Sequence, residues 1–139
     1  MRSLVLVVLL QLSFFAHAEY PNVEKLTVNQ SLCMGFKIWV FGGRAIQASF
    51  PETIENRKAT SVIILLSQDG RVLHTSSTDF NRHEDKPHTT LTVRDELTPN
   101  LDIALEITYS CRDCGKPERI YIIPSVYEYK YARDSSCTD

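Results

Sequence analysis

The sequence feature that most constrains the fold is a ten-residue run, LDIALEITYS at 101–110, in which apolar and polar residues mostly alternate. Apolar residues at every second position lie on one face of an extended strand, whereas a helix would scatter them around its axis. The run therefore predicts a β-strand with one buried face. The residues of that face are Leu101, Ile103, Leu105, Ile107 and Tyr109.

The rest of the chain consists of shorter runs of the same kind, separated by turn residues. Shorter alternating runs recur at 26–32, 45–50 and 91–93. The apolar runs FKIWVF and SVIILLS suit strands that cross a core, and Gly42-Gly43 and Asp69-Gly70 suit tight hairpins. No stretch of a dozen residues carries a helical stripe. We therefore predict an all-β fold, a β-sandwich of about seven to eight strands, with Trp39 in its core.

The N-terminus has the layout of a secretory signal peptide. Arg2 precedes an apolar run from Leu4 to Phe15, and Ala16-His17-Ala18 is a small-x-small cleavage sequence. The run is short for a transmembrane span, and no later segment is long and apolar enough to be one. We expect residues 1–18 to be removed and residues 19–139 to form a single secreted domain of 121 residues (139 minus 18).

Charge and residue spacing disfavour several kinds of partner. Without residues 1–18 the chain has 14 basic residues (15 minus Arg2) and 17 acidic residues, a net charge of −3. It has no basic cluster of the type that binds nucleic acid. Because neither the histidines nor the polar loop 79–88 has zinc or calcium spacing, we expect no metal and no cofactor. Asn29 opens the sequon Asn29-Gln30-Ser31 and is a predicted N-glycosylation site.

The four cysteines are Cys33, Cys111, Cys114 and Cys137, and an even number in a small secreted domain predicts two disulfides. Three pairings are possible. We favour Cys33 bonded to Cys111 or Cys114, with Cys137 taking the other, because bonds that close long loops stabilise a fold by roughly 3 to 4.5 kcal/mol. A local Cys111–Cys114 bond would constrain almost nothing and would be the more labile, redox-type bond.

The two-residue spacing of Cys111 and Cys114 also fits a redox dithiol or half of a zinc site. A redox pair usually lies at a helix N-terminus, where the thiolate pKa is lowered. This pair instead follows a strand and precedes the turn residues Gly115 and Pro117, and the other cysteines stand singly. A structural disulfide is therefore the prediction.

The C-terminal run 126–131 alternates and predicts a last strand with three tyrosines on one face. Tyr127, Tyr129 and Tyr131 are weak candidates for ligand binding, since their rings are apolar and their hydroxyls form hydrogen bonds. Tyrosines also commonly just cover a sheet face. An exposed last strand would offer an edge for a homodimer.

Several motifs occur in an ordered series along the chain. Leu32, Cys33 and Gly35 match part of an early-strand motif, G-x-L-x-C-x-G, and Thr78, Asp79 and Asn81 match part of a mid-chain turn. The matching positions in the C-terminal third are Pro99, Leu101, Ile107, Cys111, Cys114, Arg119, Ile123, Pro124 and Tyr127. This series resembles the transthyretin-like family of secreted nematode proteins. The turn glycine is missing and the segment 60–75 is long, so the chain resembles a divergent member.

The resemblance implies a secreted transthyretin-like (immunoglobulin-like) β-sandwich with disulfides, mostly without catalytic activity, and it assigns no binding residues. We expect a non-enzymatic extracellular binding or carrier protein for a small apolar ligand, a lipid or a cell-surface partner, with no catalytic residues. One alternative is an inhibitor or adhesion module that presents the loops at 43–58 or 79–88. Others are a CxxC redox protein and a hydroxyisourate-type hydrolase, whose C-terminal YRGS the ending YKYARDSSCTD does not reproduce.

Overall fold

The structure is a computed structural model that describes residues 22–80, 86–130, 132 and 137–138. Within these residues the chain forms nine β-strands, one α-helix and one 3₁₀ helix. No helix among them is long and apolar enough to cross a bilayer. The predicted signal peptide at 1–18 lies outside the described residues.

The strands follow one another along most of the chain. Their bounds are Val23–Lys25 (β1), Lys37–Phe41 (β2), Ala45–Ser49 (β3), Thr53–Ile54 (β4), Arg57–Gln68 (β5), Arg71–Asp79 (β6), His88–Thr92 (β7), Leu101–Ser110 (β8) and Arg119–Ile123 (β9). The α-helix, α1, covers Val28–Met34 between β1 and β2. The 3₁₀ helix covers Tyr127–Lys130 after β9.

The strands form two sheets. The larger sheet has the order β1-β9-β8-β5-β4, with β6 also paired to β5, and the smaller has the order β2-β3-β7. All neighbours are antiparallel except β1 and β9. The predicted all-β sandwich is therefore confirmed, with nine strands where seven to eight were expected.

The core lies between the two sheets and follows the alternation seen in the sequence. In β8 the residues Ile103, Leu105, Ile107 and Tyr109 are fully buried, while their neighbours are half-buried. The smaller sheet contributes the alternating apolar residues of β2 and β3 to the same core. The alternation in 101–110 predicted this strand and four of the five residues of its buried face correctly; Leu101, at the start of the strand, is half-buried.

Both predicted hairpins form. Asp69 and Gly70, with φ of 51° and 80°, make the two-residue turn between β5 and β6. Gly42 and Gly43, with φ of 56° and 70°, lie in the turn between β2 and β3. These left-handed backbone conformations match the right-handed twist of the paired strands, which is why Asp-Gly and Gly-Gly sequences occupy such turns.

The run 26–32, predicted as a strand, is instead the start of α1. Thr27 is the N-cap: its Oγ1 accepts a hydrogen bond from Gln30 N at 3.1 Å, and Gln30 Oε1 accepts one from Thr27 N at 2.9 Å. This capping box stabilises the first turn, and Gly35, with φ of 92°, ends the helix in the left-handed conformation. The strand prediction was wrong because it ignored this local Thr-x-x-Gln signal.

Trp39, predicted in the core, is only half-buried. Ile38 and Val40 point into the core from β2, so the strand's alternation places Trp39 on the outer face of the smaller sheet. A similar division holds in β5, where Val62 and Ile64 are buried and the intervening residues are half-buried. The continuous apolar runs therefore serve both faces of their strands.

Three buried tyrosine hydroxyls predict a loss of stability at alkaline pH. Burial raises the pKa of Tyr109, Tyr121 and Tyr129 above the ordinary value of 10.0, because the phenolate is poorly solvated there. Their contribution to stability is therefore complete below about pH 10 and is lost as the pH rises above it, since the unfolded chain ionises first. Each hydroxyl ionised only in the unfolded chain lowers the free energy of unfolding by about 1.4 kcal/mol per pH unit.

Urea unfolding measured from about pH 8 to about pH 11 checks this expectation. The free energy of unfolding should fall steeply above pH 10. In Tyr129→Phe the slope of this fall with pH should be smaller by the contribution of one hydroxyl. A profile that stays level across this range would contradict the burial of these hydroxyls.

Candidate functional site

The structure pairs the cysteines differently from the favoured prediction. Cys33 is bonded to Cys137, with Cα atoms 4.6 Å apart, and Cys111 is bonded to Cys114, with Cα atoms 5.7 Å apart. All four predicted half-cystines are thus in disulfides. The favoured pairing of Cys33 with Cys111 or Cys114 was wrong.

The reason lies in proximity rather than loop length. Asn29 on α1 binds Thr138, the residue after Cys137. The Asn29 side-chain amide donates a hydrogen bond to Thr138 O at 2.9 Å and accepts one from Thr138 N at 3.0 Å, which brings Cys137 close to α1. Cys111 and Cys114 lie together in the loop between the paired strands β8 and β9. A disulfide requires neighbouring Cα atoms, and loop length sets how much a bond stabilises, not whether it can form.

Asn29 therefore has a structural role beside its predicted glycosylation. It is exposed on α1, and its Oδ1 also accepts a hydrogen bond from Thr138 Oγ1 at 3.0 Å. N-glycosylation at this asparagine stays a prediction.

The predicted tyrosine face does not form. After Pro124 the chain enters the 3₁₀ helix, because Asp102 accepts hydrogen bonds from Ser125 Oγ and, at 2.9 Å, from Tyr127 N. Pro124 has no N–H for a sheet ladder, and the capped turn takes over from the strand. The prediction of a last strand at 126–131 was wrong for this reason.

The tyrosines consequently lie in different surroundings. Tyr129 is buried and its hydroxyl bonds to Ser31 Oγ on α1. Tyr127 is half-buried with Lys130 Nζ 5.9 Å from its ring centroid. Tyr131 lies outside the described residues. Tyr129 therefore ties the C-terminal segment to α1 rather than offering a ligand surface.

A cleft of about 810 Å³ lies at one end of the larger sheet, and we call it the rim cleft. It lies where β5 begins, β6 ends and the loop after β8 leaves the sheet. Its lining residues are Glu52, Asn56, Lys58, Ala59, Thr60, Asp79, Phe80, Pro87, Ser110, Cys111, Arg112 and Asp113. The volume is within the range of about 300–1,000 Å³ typical of small-ligand sites.

Backbone irregularity in β5 shapes the rim cleft. The pairing of β5 with β8 shifts between Ala59 and Ser61, which leaves Thr60 as an extra residue. Thr60 Oγ1 donates to Thr108 O at 3.2 Å, and Thr60 O accepts from Phe80 N at 2.8 Å. Bulges of this kind bend a strand and often border binding sites.

The lining combines apolar residues with exposed charged residues. Phe80 is half-buried and its ring centroid lies 5.6 Å from that of Phe50, so its ring is held by the core. Lys58 and Arg112 are exposed at the rim, and the ion pairs among the described residues involve neither of them. Three exposed carboxylates share the rim, at Glu52, Asp79 and Asp113.

Arg57 positions one wall of the rim cleft. It is 8% exposed, and its Nε donates to Pro117 O at 2.9 Å while its Nη1 lies 3.3 Å from Glu55 Oε2. The first contact fixes the loop that carries Cys111 and Arg112 against the start of β5. The free-energy cost of burying this guanidinium is offset by its two contacts, a hydrogen bond to a backbone carbonyl and an ion pair with a carboxylate.

Within the described part of the chain, no group of three or more His, Cys, Asp or Glu side chains is arranged to hold a metal ion. The central part of the predicted polar loop, 81–85, lies outside the described residues, as does most of the C-terminal sequence YKYARDSSCTD after residue 130.

Sequence reasoning named Cys111 and the segments 43–58 and 79–88 separately, but it did not predict that they line one rim cleft. Its residues come from three distant segments, 52–60, 79–87 and 110–113. No local pattern connects these segments, and the register between β5 and β8 is what brings them together.

Comparison with protein-family models, with curated proteins and with solved structures finds no match for this chain. The resemblance to the transthyretin-like family rests on the sequence motifs alone.

Proposed function

We propose that this chain is a secreted, non-enzymatic binding protein that holds a small amphipathic ligand in the rim cleft. The observation that carries the proposal is the cleft itself, in which the half-buried Phe80 lines the same space as two exposed cations, Lys58 and Arg112, that have no ion-pair partner among the described residues. An apolar ligand body would contact Phe80, and an anionic head would pair with the cations.

Several features support an extracellular role. Two disulfides brace the chain, and disulfides persist mainly in oxidising compartments. The signal-peptide layout and the Asn29 sequon agree with secretion, and glycosylation is part of the proposal. Membership of the transthyretin-like family also remains a proposal. Leu32 and Cys33 weigh against it, because they lie on α1 where the family motif belongs to a strand.

The ligand class can be tested with oleate and its uncharged methyl ester, each displacing anilinonaphthalene sulfonate from the purified protein. We expect saturable binding of oleate and weaker binding of the ester. The double variant Lys58→Glu/Arg112→Glu should weaken oleate binding about tenfold, the equivalent of about 1.4 kcal/mol. Both side chains are exposed, so the fold should be unaffected.

Lys116→Glu is the matched control for this experiment. Lys116 is exposed in the same loop as Arg112 but does not line the rim cleft. The Lys116→Glu variant should bind oleate as tightly as the parent protein does. Equal losses in the control and the double variant, or no saturable binding at all, would contradict a ligand site in the rim cleft.

A second candidate function is self-association or adhesion through the edge strand β6. The predicted homodimer edge was the C-terminal strand, and residues 127–130 of that segment form a 3₁₀ helix instead. In contrast, all nine residues of β6 are exposed, including Val72 and Leu73 at 59% and 56%. Regular pairing with β5 runs from His74 to Asp79, and this stretch has no Lys or Pro to block a second strand. A second copy of the chain is the partner that we propose here.

Backbone direction gives a sharp test of this edge. Phe80 N donates to Thr60 O, so by alternation the N–H of Ser76 faces β5 and that of Ser77 faces the open edge. Ser77→Pro should abolish dimers in sedimentation velocity while leaving stability nearly unchanged. Ser76→Pro, its neighbour, should break the hairpin and lower stability by about 3 kcal/mol or more. A monomeric parent at high concentration would exclude this assembly.

A further inference from the structure

The two disulfides differ in what holds their cysteines together. Cys137 is adjacent to Thr138, which makes three hydrogen bonds with the Asn29 side chain on α1. Cys33 lies on the same helix. These contacts would keep the two sulfurs close even if their bond were opened, and such enforced proximity makes a disulfide resistant to reduction.

Cys111 and Cys114 have much less support. Residues 112–118 between β8 and β9 are all exposed and form no strand or helix. The loop is tied to the fold at its far end, where Arg57 Nε donates to Pro117 O. Cys114 Sγ lies 3.7 Å from Cys111 O, but a disulfide sulfur carries no hydrogen, so this contact becomes a hydrogen bond only when the bond is reduced.

The surroundings also favour attack by an external thiolate. Within this bond Cys114 is exposed, whereas Cys111 is half-buried in the wall of the rim cleft. Cys33 and Cys137 are exposed as well, so the difference between the two bonds rests on the contacts that hold their cysteines together. Arg112 follows Cys111 directly, Lys58 pairs with Ser110, the residue before Cys111, and Asp113 lies between the two cysteines. A cation close to a sulfur stabilises its thiolate and makes it a better leaving group, and a carboxylate acts in the opposite direction.

We propose that the Cys111–Cys114 disulfide is a thiol-exchange site whose substrate is an external thiol, while Cys33–Cys137 stays closed. The external thiolate forms a bond to Cys114 Sγ, the Cys111–Cys114 bond breaks, and its electron pair leaves with Cys111 as a thiolate. A second external thiolate then attacks the external sulfur of the mixed disulfide and releases Cys114. Two external thiols are oxidised to a disulfide, and the protein's disulfide is reduced by two electrons.

Opening this bond has a direct consequence for the rim cleft. Cys111, Arg112 and Asp113 form one of its walls, and the bond joins Cys111 to Cys114, three residues further along the same loop. Opening the bond leaves the contact of Arg57 Nε with Pro117 O and the bond between α1 and the C-terminal segment in place, so exchange with a thiol would loosen only residues 111–114 of the wall.

The test is equilibration of the full secreted chain with glutathione at graded ratios of reduced to oxidised form, followed by acid quench, alkylation and peptide mapping. We expect half-reduction of Cys111–Cys114 at a ratio at least about tenfold less reducing than that needed for Cys33–Cys137. A parallel arm with reduced thioredoxin distinguishes a protein thiol from a small thiol as the source. Reduction of both disulfides together, or of Cys33–Cys137 first, in both arms would overturn the proposal.

Trapping the mixed disulfide tests which sulfur is attacked. Brief treatment of the oxidised protein with limiting reduced glutathione, followed by acid quench and peptide mapping, shows which cysteine carries glutathione. We expect glutathione on Cys114, because its side chain is exposed. Glutathione on Cys111 instead would overturn the assignment of Cys114 as the attacked sulfur.

Discussion

Replacing Phe36 with alanine is expected to lower the free energy of unfolding by about 3–5 kcal/mol. Phe36 is 0% exposed, and its ring centroid lies 6.1 Å from that of Phe50, 6.4 Å from Tyr109 and 6.1 Å from Tyr121. Alanine would remove the ring at the centre of this cluster and leave a cavity that neighbours held by both sheets cannot fill. Urea unfolding followed by circular dichroism measures the change.

Phe41→Ala is the matched control for this variant. Phe41 is 41% exposed at the other end of β2, so its truncation should change the free energy of unfolding by less than about 1 kcal/mol. Losses of equal size in the two variants would mean that Phe36 does not occupy the centre of the core.

The sheets could be predicted from the sequence because their signals are strong and local. The alternation of Leu101–Ser110 placed β8 and its buried face correctly. The Asp69-Gly70 dipeptide placed the hairpin of β5 and β6, since these residue types adopt the left-handed backbone that this turn requires. The partners of each strand could not be predicted in this way, because pairing depends on contacts between distant segments.

The two helical segments were missed for a different reason. In α1 the capping box of Thr27 and Gln30 outweighs a weak apolar alternation, and this signal is present in the sequence. The 3₁₀ helix depends on Asp102, which is 25 residues before Tyr127 along the chain. That contact exists only once β8 and β9 are paired, so the alternation at 126–131 was misleading.

The candidate site also combines a feature with a local sequence signal and features that depend on distant contacts. The spacing of Cys111 and Cys114 drew attention to one wall of the rim cleft. Lys58 and Phe80 lie in segments named as possible binding loops, but nothing in the sequence placed them beside Cys111. Their position depends on the extra residue Thr60 in β5 and on the end of β6. The disulfide pairing could not be predicted because Cys33 and Cys137 are 104 residues apart and meet through Asn29 and Thr138.

Removal of the Cys33–Cys137 disulfide, by Cys33→Ser/Cys137→Ser, is expected to lower the free energy of unfolding by about 4–5 kcal/mol. The bond joins residues 104 positions apart, and a cross-link across so long a loop restricts the unfolded chain strongly. The hydrogen bonds between Asn29 and Thr138 remain in the variant, so the folded structure should change little. Urea unfolding of the oxidised proteins measures the difference.

Cys111→Ser/Cys114→Ser is the matched control, with the same two chemical changes in a loop whose ends are 3 residues apart. Its loss should be about 2 kcal/mol or less, because closing so short a loop restricts the unfolded chain little. A larger loss in this variant than in Cys33→Ser/Cys137→Ser would show that the Cys111–Cys114 bond holds the fold together. A smaller loss would leave that bond free to open in the folded protein, which thiol exchange at Cys114 requires.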